Sequence, residues 1–347
     1  MSLFRLAAAV VVVPTLVSAW GASASAAEPA KTKTKNVILM MSDGIRWEEI
    51  FRGAQPELIS EKPGGVENVE ELKKLFGQET AEERRKALFP FLTEVVAKQG
   101  QLYGNEGEES VVTNGKHFSY PGYNETFTGF GDPRIDSNDK VNNPNVTVFE
   151  WLNNQDAYRG KVAGFGSWDC FPFILNSERS GIDVVAGQRD QATFEKALEK
   201  LKNDKPRVLF IGLGGTDGAA HNGRFDNYLK AAHYYDQSVQ KLWETVQSMP
   251  EYKDQTTLIL TTDHGRGGLP DGWRHHSAKI PGSDRIWIGV LGPDTPARGD
   301  SPLPKTTQSQ VAATIAALLG EDYNAEQPKA GPAIERALPQ AETAAGR

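Results

Sequence analysis

Three stretches of the chain are apolar with almost no alternation: 36–44 (NVILMMSDG), 206–218 (PRVLFIGLGGTDG) and 256–265 (TTLILTTDHG). A strand with one wet face alternates polar and apolar residues, whereas a strand covered on both faces stays apolar. These three are therefore expected to be central strands of a mostly parallel sheet. Apolar positions return at helical spacing in 89–100, 191–203, 225–249 and 307–320, and shorter strands are expected at 161–166 and 284–293. Alternating strands and helices predict an α/β fold, a three-layer sandwich whose central sheet carries helices on both faces. No internal repeat and no linker divides the chain, so a single domain is expected over 28–347. Within it, 52–88 reads as a polar surface insert and 324–347, rich in Ala, Pro and charge, as a loosely held tail.

The first 27 residues have a different layout. Arg5, a short apolar run and the small residues ASASAA have the layout of a secretory signal peptide with cleavage near Ala26 or Ala27, which predicts a periplasmic or secreted protein. Pro14 and the Ser/Gly/Ala-rich end leave the run short of the roughly 20 apolar residues of a spanning helix. No later segment is longer, so no stable membrane span is expected after cleavage. A net charge of −7 gives no attraction for nucleic acid or anionic lipid. Cys170 is the only cysteine, so no intrachain disulfide forms, and within WDCFPF it reads as a small buried residue.

The candidate chemistry lies where the apolar runs stop. Each of the three finishes on an aspartate, Asp43, Asp217 and Asp263, and strand ends of this kind face the ligand crevice of a parallel sheet. Carboxylates gathered there repel one another unless a cation compensates them. His264 follows Asp263, His221 lies four residues after Asp217, and WRHHS supplies His275 and His276, an inventory for two divalent ions. Imidazole with carboxylate suits zinc, and manganese or iron is tolerated. A nucleophile is offered by Ser119 in HFSYPGYNETFTGFGD, at an expected helix start where backbone N–H groups and the helix dipole favour negative charge. His233 reads as structural, and His117, two residues before Ser119, as structural or substrate-side.

In this order, Asp43, Ser119, Asp217, His221, Asp263, His264 and His276 resemble the alkaline phosphatase superfamily of metalloenzymes. The resemblance runs from Asn36 to about Gly320 and is closest to the nucleotide pyrophosphatase/phosphodiesterase-like branch. FSYPGYNETFTG is similar to that branch's nucleophile motif, and TDGAAH and TTDHGRGG to its metal motifs. The resemblance implies an alkaline-phosphatase-like sandwich with two divalent ions, most simply Zn2+. One would be held by Asp217, His221 and His276, the other by Asp43, Asp263, His264 and the Ser119 oxygen. His276 is favoured over His275 because HSAKIP fits the family's pattern, and His275 then points elsewhere or contacts substrate. The implied activity is hydrolysis of a small phosphoric monoester or diester through a phosphoserine.

Sulfatases of the superfamily need Cys/Ser-x-Pro-x-Arg, and SYPGY carries Tyr123 in place of the arginine, so a sulfatase is the alternative reading. The 75 residues between Asp43 and Ser119, and the 97 between Ser119 and Asp217, leave room for a modest cap only, which argues against a phosphomutase. A non-catalytic metal- or phosphate-binding protein is the alternative from another class. For the group that holds the outer oxygens of the ester, Asn138, Asn142, Asn143, Arg134, Arg224 and Arg274 are all open. Trp168, Phe171 and Trp273 either stack on a leaving group or fill space.

Overall fold

The computed structural model describes residues 32–339, and the leader expected over 1–27 lies outside the described residues. Along the chain come β1 (Asn36–Ser42), β2 (Gln101–Tyr103), β3 (Ser110–Val111), β4 (Val162–Gly166), β5 (Asp183–Ala186), β6 (Val208–Leu213), β7 (Thr256–Thr262), β8 (Arg285–Ile286), β9 (Ile288–Leu291) and β10 (Thr306–Thr307). The main sheet has the order β2-β9-β7-β1-β6-β4-β5, and β10-β3-β8 form a small second sheet. From β7 to β5 every pairing is parallel, and β9 runs antiparallel to both β7 and β2.

The unalternating pattern of β1 has a simple cause. Ile38 and Met40 enter one core, while Val37, Leu39 and Met41 enter another on the opposite face. The long helix Phe225–Ser248 and the helix Asp190–Asp204 cover the first face; Ser119–Thr128 and Val311–Leu318 cover the second. The expected three-layer sandwich is what forms. Register aligns the strand ends: Ser42 of β1 is paired with both Leu213 of β6 and Thr262 of β7, so these three strands end level.

Two expectations are corrected. The 52–88 segment is more than a surface excursion, because Leu58, Ile59, Leu72, Phe76 and Leu88 are buried in the first core. Its helices Val69–Phe76 and Ala81–Leu88 turn their charged sides outward, and a Thr80/Glu83 capping box starts the second. The segment from Asn324 to 339 is held rather than loose: Ile334 and Ala337 are buried, Gln101 Nε2 donates to the Arg336 carbonyl at 2.6 Å, and Ile334 N donates to Thr314 Oγ1 at 2.9 Å. Alanine and proline lower its apolar density without removing the few side chains that anchor it.

The single helix expected at 89–100 is broken by a π-helical turn at Leu92–Val96. Its first turn is capped from another element, since the Asp236 carboxylate accepts from Phe91 N at 2.9 Å and Leu92 N at 2.8 Å. Burial nevertheless pushes Asp236 up to about 6 from 3.8. A carboxyl raised in the folded state contributes stability that is complete below its unfolded value and is lost as pH rises through its folded value. Stability is therefore expected to fall by on the order of 2 kcal/mol between about pH 4 and pH 6 through this group. Asp236→Asn should flatten that part of the curve in urea melts across the same pH range.

Candidate active site

The level ends of β1, β6 and β7 carry the site. Asp43 follows β1 directly, and Asp263 and His264 follow β7. Asp217 differs from expectation, because β6 stops at Leu213 and Asp217 lies in the helix Gly215–His221. Two adjacent glycines end the strand early and start the helix, where a spacing of four puts Asp217 and His221 on one face. The Asp190 carboxylate fixes this turn by accepting from Gly214 N at 3.0 Å and Gly215 N at 2.9 Å.

Ser119 is the first residue of the helix Ser119–Thr128, as expected, and lies in the buried part of the crevice. The helix reaches the end of β7 only because residue 122 is glycine: a Cβ there would lie 2.2 Å from the Asp263 carbonyl oxygen. Buried Glu125 reinforces its approach loop by accepting from Thr113 N and Asn114 N, and Asn114 Oδ1 in turn accepts from His117 N at 3.0 Å. His117 is held at φ 57°, in the left-handed region, just before the helix. Ser119 and Asp43 line the same cavity.

Two groups of donor atoms gather here: Asp43, Asp263 and His264 in one, Asp217, His221 and His276 in the other. In the first, His264 Nε2 is 3.3 Å from Asp43 Oδ1 and 3.4 Å from Asp263 Oδ2. In the second, His221 Nε2 is 3.2 Å from Asp217 Oδ1 and 2.9 Å from His276 Nε2, and His276 Nε2 is 3.5 Å from the same Asp217 oxygen. The groups adjoin, with the His264 and His276 rings stacked at 3.8 Å. Tautomers follow from the hydrogen bonds. His264 Nδ1 donates to the Gly265 carbonyl and His276 Nδ1 to the His117 carbonyl, so each Nε2 turns a lone pair into its group.

Burial, then Asp217, pushes the Asp43 carboxyl up; burial, then Asp43, does the same to Asp263. Burial alone would raise Asp217 too, but the Arg266 guanidinium against it holds it well below the usual carboxylate range. Burial, then His264, brings His276 down to about 2, so its ring is neutral. Asp43 Oδ1, Asp263 Oδ2 and His264 Nε2 are buried without hydrogen-bond partners. Leaving such atoms unsatisfied costs roughly 1 to 3 kcal/mol each, and one divalent ion shared by all three would satisfy them. The residues present fit a metal.

Of the pair left open by the sequence, His276 enters the site and His275 is exposed. Asn138 lines the cavity beside Ser119, its Oδ1 accepting from Tyr120 N at 3.0 Å. Asn142 is exposed and bonded to Glu178, and Asn143 is buried against Asn124. Arg134 is taken by Asp132 and Asn145, Arg224 by Glu67 and Asp226, and Arg274 by the Pro63 carbonyl. The substrate-side roles expected for His275, Asn142 and Arg134 therefore have no support in the geometry. Trp273 is buried against Phe225 and Tyr228, and Phe171 is in the core, which leaves Trp168 as the aromatic that lines the cavity. His233 bonds the Leu88 carbonyl, and burial pushes the Cys170 thiol up to about 12, so both are structural. The cavity, about 470 Å³, is bounded by Asp43, Ser119, Asn138, Ser167, Trp168, Asp190 and Asp217.

Arg266 is the functional side chain that sequence reasoning missed. It is wholly buried, donating from Nε to the Gly44 carbonyl, from Nη1 to the Arg274 carbonyl and from Nη2 to Asp217. Its only signal is a cation in the glycine-rich GRGG that comes after a buried strand.

Fold and donor set define an α/β protein with two candidate metal-ligand groups beside the carboxyl ends of its strands. Residues 173–318 match the family model described as Metalloenzyme superfamily. Over 181 residues the chain is 28% identical to a Leptospira interrogans protein named "Probable 2,3-bisphosphoglycerate-independent phosphoglycerate mutase", covering 48% of this chain and 29% of that one. A Vibrio parahaemolyticus protein of the alkaline phosphatase superfamily superposes with a TM-score of 0.55 at 16% identity, covering 90% of this chain and 71% of that one. A 2-O GAG sulfatase gives 0.56 at 14% over 89% and 76%. The lipoteichoic acid synthase LtaP from Listeria monocytogenes gives 0.54 at 12% over 85% and 74%. The segment 173–318 thus matches the Metalloenzyme superfamily model, and the chain has an alkaline-phosphatase-like fold.

The exposed ring of His275 yields a direct contrast. His275→Ala is expected to change kcat/KM by less than about twofold, whereas His276→Ala should lower it on the order of a hundredfold and weaken metal retention, both read on the metal-loaded protein.

Proposed function

We propose that the protein is an exported, metal-dependent hydrolase of phosphoric esters that uses Ser119 as its nucleophile, in the manner of the phosphodiesterase-like branch. The observation that carries this reading is Ser119 at a helix start, in one cavity with Asp43 and Asp217. Asp43, Asp263 and His264 would hold one divalent ion and Asp217, His221 and His276 a second; when bound, such ions lower the pKa of a nearby hydroxyl and draw charge from the ester. Ser119 gives up its hydroxyl proton to solvent as Oγ forms a bond to phosphorus and the bond to the leaving oxygen breaks, and the leaving oxygen takes a proton from solvent water and departs as the alcohol. Water then displaces from phosphorus the seryl oxygen, which regains its proton, and releases phosphate from a monoester or a phosphomonoester from a diester. The first turn of the serine helix favours the developing negative charge.

Tyr123 supports phosphate over sulfate. It stands one turn beyond Ser119, where the sulfatase frame carries arginine, and it packs against Phe171, Phe127 and Phe210. The residues between Asp43 and Ser119 share the main core, an arrangement unlike a separate moving cap. Among the described residues no lysine or arginine bounds the cavity, which disfavours the anionic leaving group of a phosphoglycerate. With Oδ1 taken by Tyr120 N–H, Asn138 can offer only its NH2 to an ester oxygen. Asn138→Ala is expected to lower kcat/KM by roughly 10- to 100-fold with the metal content unchanged. Hydrolysis of p-nitrophenyl phosphate, bis-p-nitrophenyl phosphate and p-nitrophenyl sulfate with added zinc tests the whole reading: a sulfate rate above both phosphate rates would replace it.

A further inference from the structure

The two ligand groups are not electrically equivalent. The group of Asp43, Asp263 and His264 is wholly buried and contains two carboxylates, and its three donor atoms have no partner. The group of Asp217, His221 and His276 contains one carboxylate, and the Asp217 oxygen that faces both histidines is also the one bonded by Arg266. His221 there is half exposed, with 45% of its side chain open to solvent. Formal charge is thus −2 in the inner group and zero in the outer one once Arg266 is counted. A divalent ion gains far more Coulomb energy in the first setting, and in the second it must share or displace a guanidinium held by the Gly44 and Arg274 carbonyls.

We propose that Arg266 makes the two metal positions unequal: it occupies Asp217 as an internal cation, so the inner group takes a divalent ion first and the outer group takes the second much more weakly. The same side chain ties together the carbonyl after Asp43, the Asp217 carboxylate and the carbonyl two residues before His276. It is a positioning residue, because burial keeps it from the cavity and it acts on substrate only through the ligands it holds.

The inference rests on the metal-dependent reading in that both groups bind ions, and it is tested without measuring hydrolysis. Metal-stripped protein is titrated with Zn2+ by calorimetry, with elemental counting of bound metal. Two steps are expected, with dissociation constants separated by about a hundredfold or more. Asp263→Asn should remove the tight step and His221→Ala the weak one. Arg266→Met should tighten the weak step until the two differ by about tenfold or less, and Arg266→Lys, which keeps the charge, should leave them apart. Two equal steps in the unaltered protein, loss of the weak step in Asp263→Asn, or an unchanged separation in Arg266→Met would each overturn the proposal. Should Arg266→Met fail to fold by circular dichroism, the native protein and the two ligand variants still decide the order of filling. Ordered filling without ester hydrolysis would sink the functional reading alone, and hydrolysis with equal steps would sink this one alone.

Discussion

Ser119→Ala is expected to lower kcat/KM for a phosphoric ester by about 10³- to 10⁴-fold, leaving only what the rest of the site gives. The fold should not suffer. Ser119 is the first helical residue and Phe118 precedes it in extended conformation, so the hydroxyl caps nothing and its loss frees no backbone group. Zinc uptake by the Asp43, Asp263 and His264 group should continue, since those three donor atoms are unchanged. Rapid quenching of the native protein with radiolabelled substrate should trap phosphate on Ser119, and the variant should trap none. Retention of more than about a tenth of the native rate would mean that water attacks the ester directly, and Ser119 would then be a binding residue only.

Much of this site is legible in the sequence, for a physical reason. Strands buried on both faces must be apolar, so an aspartate or histidine that ends such a run stands out, as Asp43, Asp263 and His264 do. The burial of β1 on both faces and the helix start at Ser119 depend on local pattern and are readable for the same reason. The pattern puts Asp217 at a strand end because Gly214 and Gly215 do not announce which way the chain turns. Pattern alone cannot tell the adjacent histidines apart; His276 is selected by a hydrogen bond to the His117 carbonyl, 159 residues away. Arg266 is out of reach and Asn138 undecided because their roles arise from partners distant in the chain. Arg266 meets Asp217 and Asn138 meets Tyr120 only once the sheet has formed. The 52–88 helices mislead in the opposite sense, since a majority of charged residues hides the few apolar ones that dock.

Asp263→Asn should invert the usual relation between activity and stability. Asp263 is fully buried, and burial, then Asp43, pushes its carboxyl up, so without metal this pair works against folding. Asparagine keeps the bond that Asp263 Oδ1 accepts from Gly44 N at 3.1 Å. Its NH2 replaces the orphaned Oδ2 and can donate to Asp43 Oδ1 or His264 Nε2, both without partners. Metal-free Asp263→Asn is therefore expected to be more stable than metal-free native protein by on the order of 1 to 3 kcal/mol. Saturating zinc should reverse the order. A ligand at about a thousandfold its dissociation constant stabilises by about 4 kcal/mol, which the native protein gains and the variant loses at this group. Activity should fall at least about a thousandfold, because the hydroxyl at Ser119 no longer has a complete inner group beside it. Thermal melts of both proteins, each with chelator and with zinc, expose the crossing directly. If the variant melts below the native protein in chelator, the carboxylates are not the strained cluster that their burial implies, and a metal is not what their arrangement is built to hold.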